Sequence, residues 1–221
     1  MTSLREQTDA RIAQTQKNNP EFAQKIDQLL SSAEAFQSGA NALDLGGKAP
    51  DFTLPKPTGE TVTLSDLLAR GSVVVTFYRG SWCPYCNLQL RAMQQRLDDI
   101  HQQGAELVAI SPEIPDESLS PDEQATLEFP VLSDQDARVA SDYGVAWEVP
   151  QLILDHMRND RKLELADING GNGSVLPIPA TFVLNPDGIV TWRFVDVDYR
   201  HRAEPDDIIA ALTKLDVSAK A

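Results

Sequence analysis

Phe22, Ile26, Leu29, Leu30, Ala33 and Phe36 are spaced by three and four, a pattern that predicts one amphipathic helix near the start of the chain. Gly39 and the pair Gly46-Gly47 break it. The stretch "APDFTLPKPTGETVTLSDLLARG" then alternates short extended pieces with a Pro/Gly turn, and Ser65 stands where it could cap a short helix. Further on, compact apolar runs predict buried strands over 73–78, 106–111, 129–133, 181–185 and 189–195, the last two joined by Pro186-Asp187-Gly188. Helical spacing occupies 84–103, 120–127, 136–143 and 206–215. Strands alternating with helices imply an α/β fold, a mixed central sheet with helices on both faces, its final hairpin antiparallel. We therefore expect an N-terminal helical extension over 1–45 and one domain over 46–221. The extension either packs on that domain or serves as a dimerisation arm.

One segment, 148–176, follows no single period. It joins a polar amphipathic piece to the glycine-rich "NGGNG" and is expected to lie near the active face. The glycines lack both the Lys-Ser/Thr of a P-loop and the G-x-G-x-x-G order before a helix, so a flexible surface turn is the better reading.

Composition narrows the function classes. With 221 residues and a hydrophobic fraction of 42%, the chain can build one sizeable core. Its formal charge of -14 repels phosphate backbones and anionic lipid heads, which argues against nucleic acid and membrane surfaces as partners. No apolar run approaches the roughly 20 residues that a bilayer demands, and the first residues carry no secretory pattern, so a cytoplasmic location is expected.

The chemistry is concentrated in Cys83-Pro84-Tyr85-Cys86, which contains both cysteines of the chain. A strand precedes the motif and a helix follows it. Pro84 suits the first helical position, which makes Cys83 the N-cap and Cys86 the third residue of the first turn. Both sulfurs then lie near free backbone N–H groups and the positive end of the helix dipole, which stabilise a thiolate. Three readings are open: half of a metal site, a pair of inert buried thiols, or a redox dithiol. His101, His156 and His201 are widely scattered and no second ligand pair exists, which disfavours a metal. A C-x-x-C between strand and helix favours redox chemistry.

Trp82-Cys83-Pro84-Tyr85-Cys86 resembles the active site of thioredoxin-fold proteins. The flanking "GKAPDFTLPKPTGETVTLSDL", "VAISPE", "FPVLSDQDARVASDYGV" and "PATFVLNPDGIVTWRFV" resemble the peroxiredoxin family of alkyl hydroperoxide reductase/thiol-specific antioxidant type, from about residue 46 to 215. The resemblance implies a thioredoxin-like fold of peroxiredoxin type and a thiol peroxidase that needs no metal or organic cofactor. It further implies a hydroperoxide substrate, a Cys83/Cys86 dithiol–disulfide cycle, thioredoxin or glutathione as reductant, and by analogy a homodimer.

Set against the family pattern F-Y-P-x-x-x-T-x-x-C, Cys86 takes the peroxidatic position, Cys83 replaces Thr and Arg79 replaces Pro. A second family arginine, two residues before the late T-F, is replaced by Pro179, which resembles the cis-proline of thioredoxins. The register implies that hydroperoxide oxidises Cys86 first and Cys83 resolves it. For disulfide substrates the roles exchange, because an N-cap side chain is the more exposed. Arg79 is expected either to stabilise the thiolate or to pair with a surface carboxylate. Trp82 is expected to shield the site and bind apolar substrate parts, and Tyr85 to stand exposed at the helix start as a further substrate contact, with Pro179 as a third; Arg193, Arg200 and Arg202 either approach the site from the late strand or, as the favoured reading, are solvated. Asp196 and Asp198 either set the proton balance of the site or bond nearby backbone. A thioredoxin- or glutaredoxin-like disulfide oxidoreductase and a redox-sensing binding protein are the alternative functions.

Overall fold

The computed structural model describes residues 2–32, 39–114 and 127–219. In chain order these form α1 (Leu4–Asn18), α2 (Pro20–Ser32), β1 (Thr53–Pro55), β2 (Thr61–Thr63), α3 (Leu64–Leu68), β3 (Ser72–Phe77), α4 (Pro84–Gln95) and α5 (Leu97–Gln102). Then come β4 (Ala105–Ser111), β5 (Val131–Ser133), α6 (Arg138–Asp142), β6 (Ala146–Glu148), α7 (Gln151–Arg161), α8 (Leu165–Ile168), β7 (Val175–Pro177), β8 (Ala180–Leu184), β9 (Val190–Val195) and α9 (Pro205–Ala219). The helix expected over 120–127 lies, but for Leu127, outside the described residues, as do Ala33 and Phe36.

Side-chain alternation builds two cores on one sheet, whose strand order is β5-β4-β3-β8-β9. Val73, Val75 and Phe77 of β3, Val108 and Ile110 of β4 and Phe182 and Leu184 of β8 face one side, where α3 and α6 cover them. Val74, Leu107, Ala109 and Val183 face the other, beneath α4, α5 and α9. β3 pairs in parallel with β4 and antiparallel with β8, so the sheet is mixed as the pattern predicts. On the α4 face Thr76 and Thr181 bond each other at 2.9 Å and Gln89 Nε2 donates to Thr76 Oγ1 at 2.9 Å, which seats α4 on the sheet through a buried polar contact.

Three local expectations are corrected. The N-terminal extension is two helices, because Pro20 has no N–H to continue α1 and Asn19 Oδ1 accepts from Phe22 N to start α2. The stretch 84–103 is split at Arg96, which leaves helical geometry (φ -116°) where its guanidinium turns to Asp99 and Asp206. Ser65 does not cap α3: Thr63 holds the N-cap position, and Asp51 Oδ1 accepts from Ser65 N at 2.9 Å in place of a local cap.

Both N-terminal helices pack on the domain. Ile26 and Leu30 of α2 are buried against Val149, Ile153 and Met157 around α7. At about 1.5–3 kcal/mol for each buried side chain, that contact outweighs release of α2 as a free arm. α1 opens with a capping box between Ser3 and Glu6, and its Leu4 and Arg5 amides donate to the Glu204 carboxylate at the start of α9. In this position α1 lies across α4, the helix that carries the cysteines.

Candidate active site

The loop between β3 and α4 has a shape that only its sequence permits. Gly80 has φ +146°, and a Cβ there would lie 2.3 Å from Trp82 Nε1 and 3.1 Å from Glu113 Cδ. Glu113, buried after β4, accepts from Ser81 N and Ser81 Oγ at 2.8 Å each, and Asn87 Nδ2 donates to Ser81 O at 2.8 Å. These bonds fix the loop that presents Cys83. Gly80→Ala is expected to cost about 1–3 kcal/mol through backbone strain alone and to displace Trp82. Urea unfolding should report the first effect and tryptophan fluorescence the second.

Cys83 is the N-cap of α4, Pro84 its first residue and Cys86 its third, as the motif predicts. Both thiols are free, and both are buried, at 1% and 0% exposure. The exposed N-cap sulfur is thus corrected: Trp82, Tyr85 and the N-terminal helices close over Cys83. Burial is the strongest influence on Cys83 and pushes its pKa up. A hydrogen bond from the Cys86 thiol and the charges of Arg79 and Arg202 override it and hold Cys83 well below an ordinary thiol. Cys86 is pushed well above the ordinary value, by burial first and then by the hydrogen bond it gives and the charge it faces at Cys83. Of the two thiols Cys83 is therefore the one whose ionisation is favoured, and Cys86 the one whose ionisation is opposed.

Two arginines flank the pair. Arg79, 6% exposed, is stacked between Trp82 and Tyr199, its Cζ 4.8 Å and 4.2 Å from the ring centroids. Among the described residues no carboxylate pairs with it, so of its two expected roles the surface ion pair falls away. Tyr199 is pushed up to about 12, burial outweighing the attraction of Arg79 and Arg200, and remains a neutral stacking partner.

Of the two readings of Arg202, solvated or approaching the site, the structure shows the less favoured one. The side chain is 6% exposed and not solvated: Nη2 donates to Cys86 Sγ at 3.2 Å, while Nη1 donates to the carbonyls of Tyr199 and His201 at 2.5 Å. Arg200 is half-buried, bound to Asp198 through Nε and Nη2 and to Asp27 of α2 at 2.7 Å. Arg193 donates to the carbonyls of Ala42 and Leu43 and meets Asp44 at 3.2 Å. Asp196 accepts from Asp198 N and faces His201 Nδ1 at 2.8 Å. These two aspartates shape the turn that delivers Arg202, and neither lies against a sulfur.

Tyr85 is buried, not exposed, because α1 covers the start of α4 and Tyr199 meets its ring edge-on at 6.0 Å. Trp82 is half-buried, and its carbonyl accepts from Arg161 Nη2 of α7 at 3.0 Å. Pro179 is buried near Arg79, yet the chain contains no cis peptide bond among the described residues. β7 passes into β8 in an extended path, with Ile178 N bonded to Val145 O and Asp196 N to Pro179 O, so the cis-proline likeness is not realised. The "NGGNG" loop is pinned rather than loose. Asn169 is fully buried, and Asn172 bonds Gln135 O and the backbone of Val175, joining the loop to β7. Among the described residues no group of three His, Cys, Asp or Glu could hold a metal ion.

A cavity of about 250 Å³ opens in front of Cys83, walled by α1, α2, α7 and the Trp82–Tyr85 turn. Cys83 lines it and Cys86 does not. Among the described residues no helix is long and apolar enough to cross a membrane.

The chain is similar to several known proteins. Peroxiredoxin Bcp of Escherichia coli K12 is 33% identical over 105 residues, 48% of this chain and 67% of the relative. The thiol-disulfide oxidoreductase ResA of Bacillus subtilis is 26% identical over 159 residues, 71% of this chain and 70% of that protein. The crystal structure of peroxidoxin BcpB from Mycobacterium tuberculosis superposes with a TM-score of 0.60 at 24% identity, covering 78% of this chain and 97% of that one, which shows the shared fold. The family profile matches residues 45–193, the segment that carries the sheet, the cysteine pair and Arg79, and the chain belongs to the AhpC/TSA family.

Proposed function

We propose that this protein is a thiol peroxidase that reduces hydroperoxides through a Cys83/Cys86 dithiol–disulfide cycle. The observation that carries the reading is a buried dithiol at a helix start, with Arg202 bonded to Cys86 Sγ and Arg79 lining the same cavity as Cys83. Family membership and the likeness to peroxiredoxin Bcp support it.

In the cycle, the Cys83 thiolate attacks one oxygen of ROOH, forming an S–O bond as the O–O bond breaks and RO⁻ departs. Cys86 gives up its proton, so that ROH leaves. The Cys86 thiolate then attacks the sulfenic sulfur, and the S–S bond forms with release of hydroxide. Two thiols of a reductant, thioredoxin or glutathione, restore the pair and leave as their own disulfide. This order reverses the one implied by the family register. Its support is that Cys83 is the sulfur on the cavity and the one whose thiolate is favoured. The guanidinium that the family pattern places before β8 would be supplied here by Arg202 from the turn after β9, and that of Arg79 by the site loop. They would steady the thiolate and the leaving oxygen.

The test is a coupled assay with thioredoxin, its reductase and hydroperoxide, repeated with glutathione and its reductase. Consumption above that of the Cys83→Ser/Cys86→Ser variant in either system supports the proposal. Equality in both contradicts it. The second reading, disulfide exchange on protein substrates, is favoured by the N-terminal position of the low-pKa cysteine and the likeness to ResA. It predicts insulin reduction that outpaces hydroperoxide reduction.

A further inference from the structure

The chain holds 33 acidic against 19 basic residues, yet the cavity in front of Cys83 reverses that balance. Arg11 of α1, Arg161 of α7, Arg79 and Arg200 line it, and among the described residues no aspartate or glutamate does. Arg200 is neutralised by Asp198 and Asp27. The other three keep their charge: Arg161 bonds a neutral carbonyl, Arg79 stacks on two rings, and Arg11 makes no ion pair among the described residues. Arg11 and Arg161 are exposed at the rim and Arg79 is buried at the floor, so the positive charge runs inward towards Cys83. Between them the wall is apolar, with Phe22, Ile26, Ile153 and Met157. A cleft with low-dielectric walls and one sign of charge concentrates the opposite ion.

We propose that this cavity binds a small carboxylate-bearing substrate with an apolar body and delivers it to Cys83. The proposal deepens the thiol-peroxidase reading: the occupant is an organic hydroperoxide or a low-molecular-weight thiol that carries a carboxylate. The burial of both sulfurs and the cavity volume of about 250 Å³ suit an occupant of that size.

The first measurement does not depend on peroxidase turnover. Iodoacetate and iodoacetamide differ in charge at nearly constant size, and peptide mapping assigns alkylation to Cys83. The ratio of the two rates is expected to be about tenfold higher in the native protein than in Arg11→Gln/Arg161→Gln, equivalent to about 1.4 kcal/mol. It should fall as salt rises. Arg11→Glu alone, which leaves the Arg161 bond to Trp82 in place, should lower the ratio as well. A ratio unmoved by these variants and by salt overturns the proposal.

The second measurement names the source. kcat/KM is compared for a fatty-acid hydroperoxide against its methyl ester, and for glutathione against its diethyl ester. Preference for the acid in one pair, reduced by Arg11→Glu, identifies the occupant. Preference in neither pair overturns the proposal. Failure of all turnover, with the alkylation ratio still charge-dependent, rejects the peroxidase reading and keeps the anion-binding cavity.

Discussion

Cys83→Ser is expected to lower hydroperoxide turnover by at least about 1,000-fold, to the level of the double-cysteine variant, as removal of a nucleophile does elsewhere. A serine hydroxyl at the same N-cap gains no useful ionisation from Arg79 and Arg202, so the attack on the O–O bond has no effective nucleophile. Cys86→Ser should behave differently. It keeps the thiolate that faces the cavity but loses the hydrogen bond from Cys86 and the resolving sulfur. It should consume one equivalent of peroxide in a single fast step as Cys83 becomes the sulfenic acid, then turn over no further, a second equivalent being used only slowly under excess oxidant as the sulfenic acid passes to sulfinic acid. Stopped-flow peroxide consumption by the two single variants separates these outcomes.

Arg202→Met is expected to reduce the rate of peroxide reduction by about 100-fold, the scale on which loss of one well-aimed donor acts. The Nη2 bond to Cys86 disappears, and with it one of the two guanidinium charges that hold Cys83 down. The sign follows directly. A lowered thiol pKa keeps Cys83 reactive at neutral pH and loses reactivity as pH falls through the lowered value. In Arg202→Met that midpoint moves up towards the ordinary thiol value, so the variant should recover part of its rate in alkaline buffer. A merely structural role would leave the midpoint in place. Two carbonyls, of Tyr199 and His201, also lose their donor, and about 1–3 kcal/mol of stability should go with each if it stays dry. Arg202→Lys should restore charge but not the forked contacts, and hence rescue the pH midpoint more fully than the stability.

The sheet was legible because its residues follow a period. Val73 to Phe77, Leu107 to Ile110 and Phe182 to Leu184 alternate between two buried faces, and such runs have few other folded uses. The helix-start geometry of the cysteines was also legible, since Pro84 and the two-residue spacing leave little freedom. Other features depend on contacts between distant segments, which periodicity does not encode. Arg202 follows a polar turn and reads as solvated, yet the bonded turn through Asp196 and Asp198 turns it inward to Cys86. Glu113 sits in a proline-flanked loop with no apolar period, and only the fold brings it under Ser81. The burial of Tyr85 and Cys83 follows from α1, whose few apolar residues give it almost no amphipathic signature. Two local signals were available there: Ser3 followed by Glu6 is a capping box, and Asn19-Pro20 marks the division between two helices.

In the proposed cycle the order is attack by Cys83 and resolution by Cys86. That order is tested most directly by exposing each single Cys-to-Ser variant to less than one equivalent of hydroperoxide in the presence of a sulfenic-acid trapping dione, followed by peptide mass spectrometry. The expected result is the trapped sulfenic acid on Cys83 in Cys86→Ser, with Cys83→Ser remaining reduced at Cys86. Trapping on Cys86 in Cys83→Ser, with Cys86→Ser unmodified, would contradict it and restore the order implied by the family register.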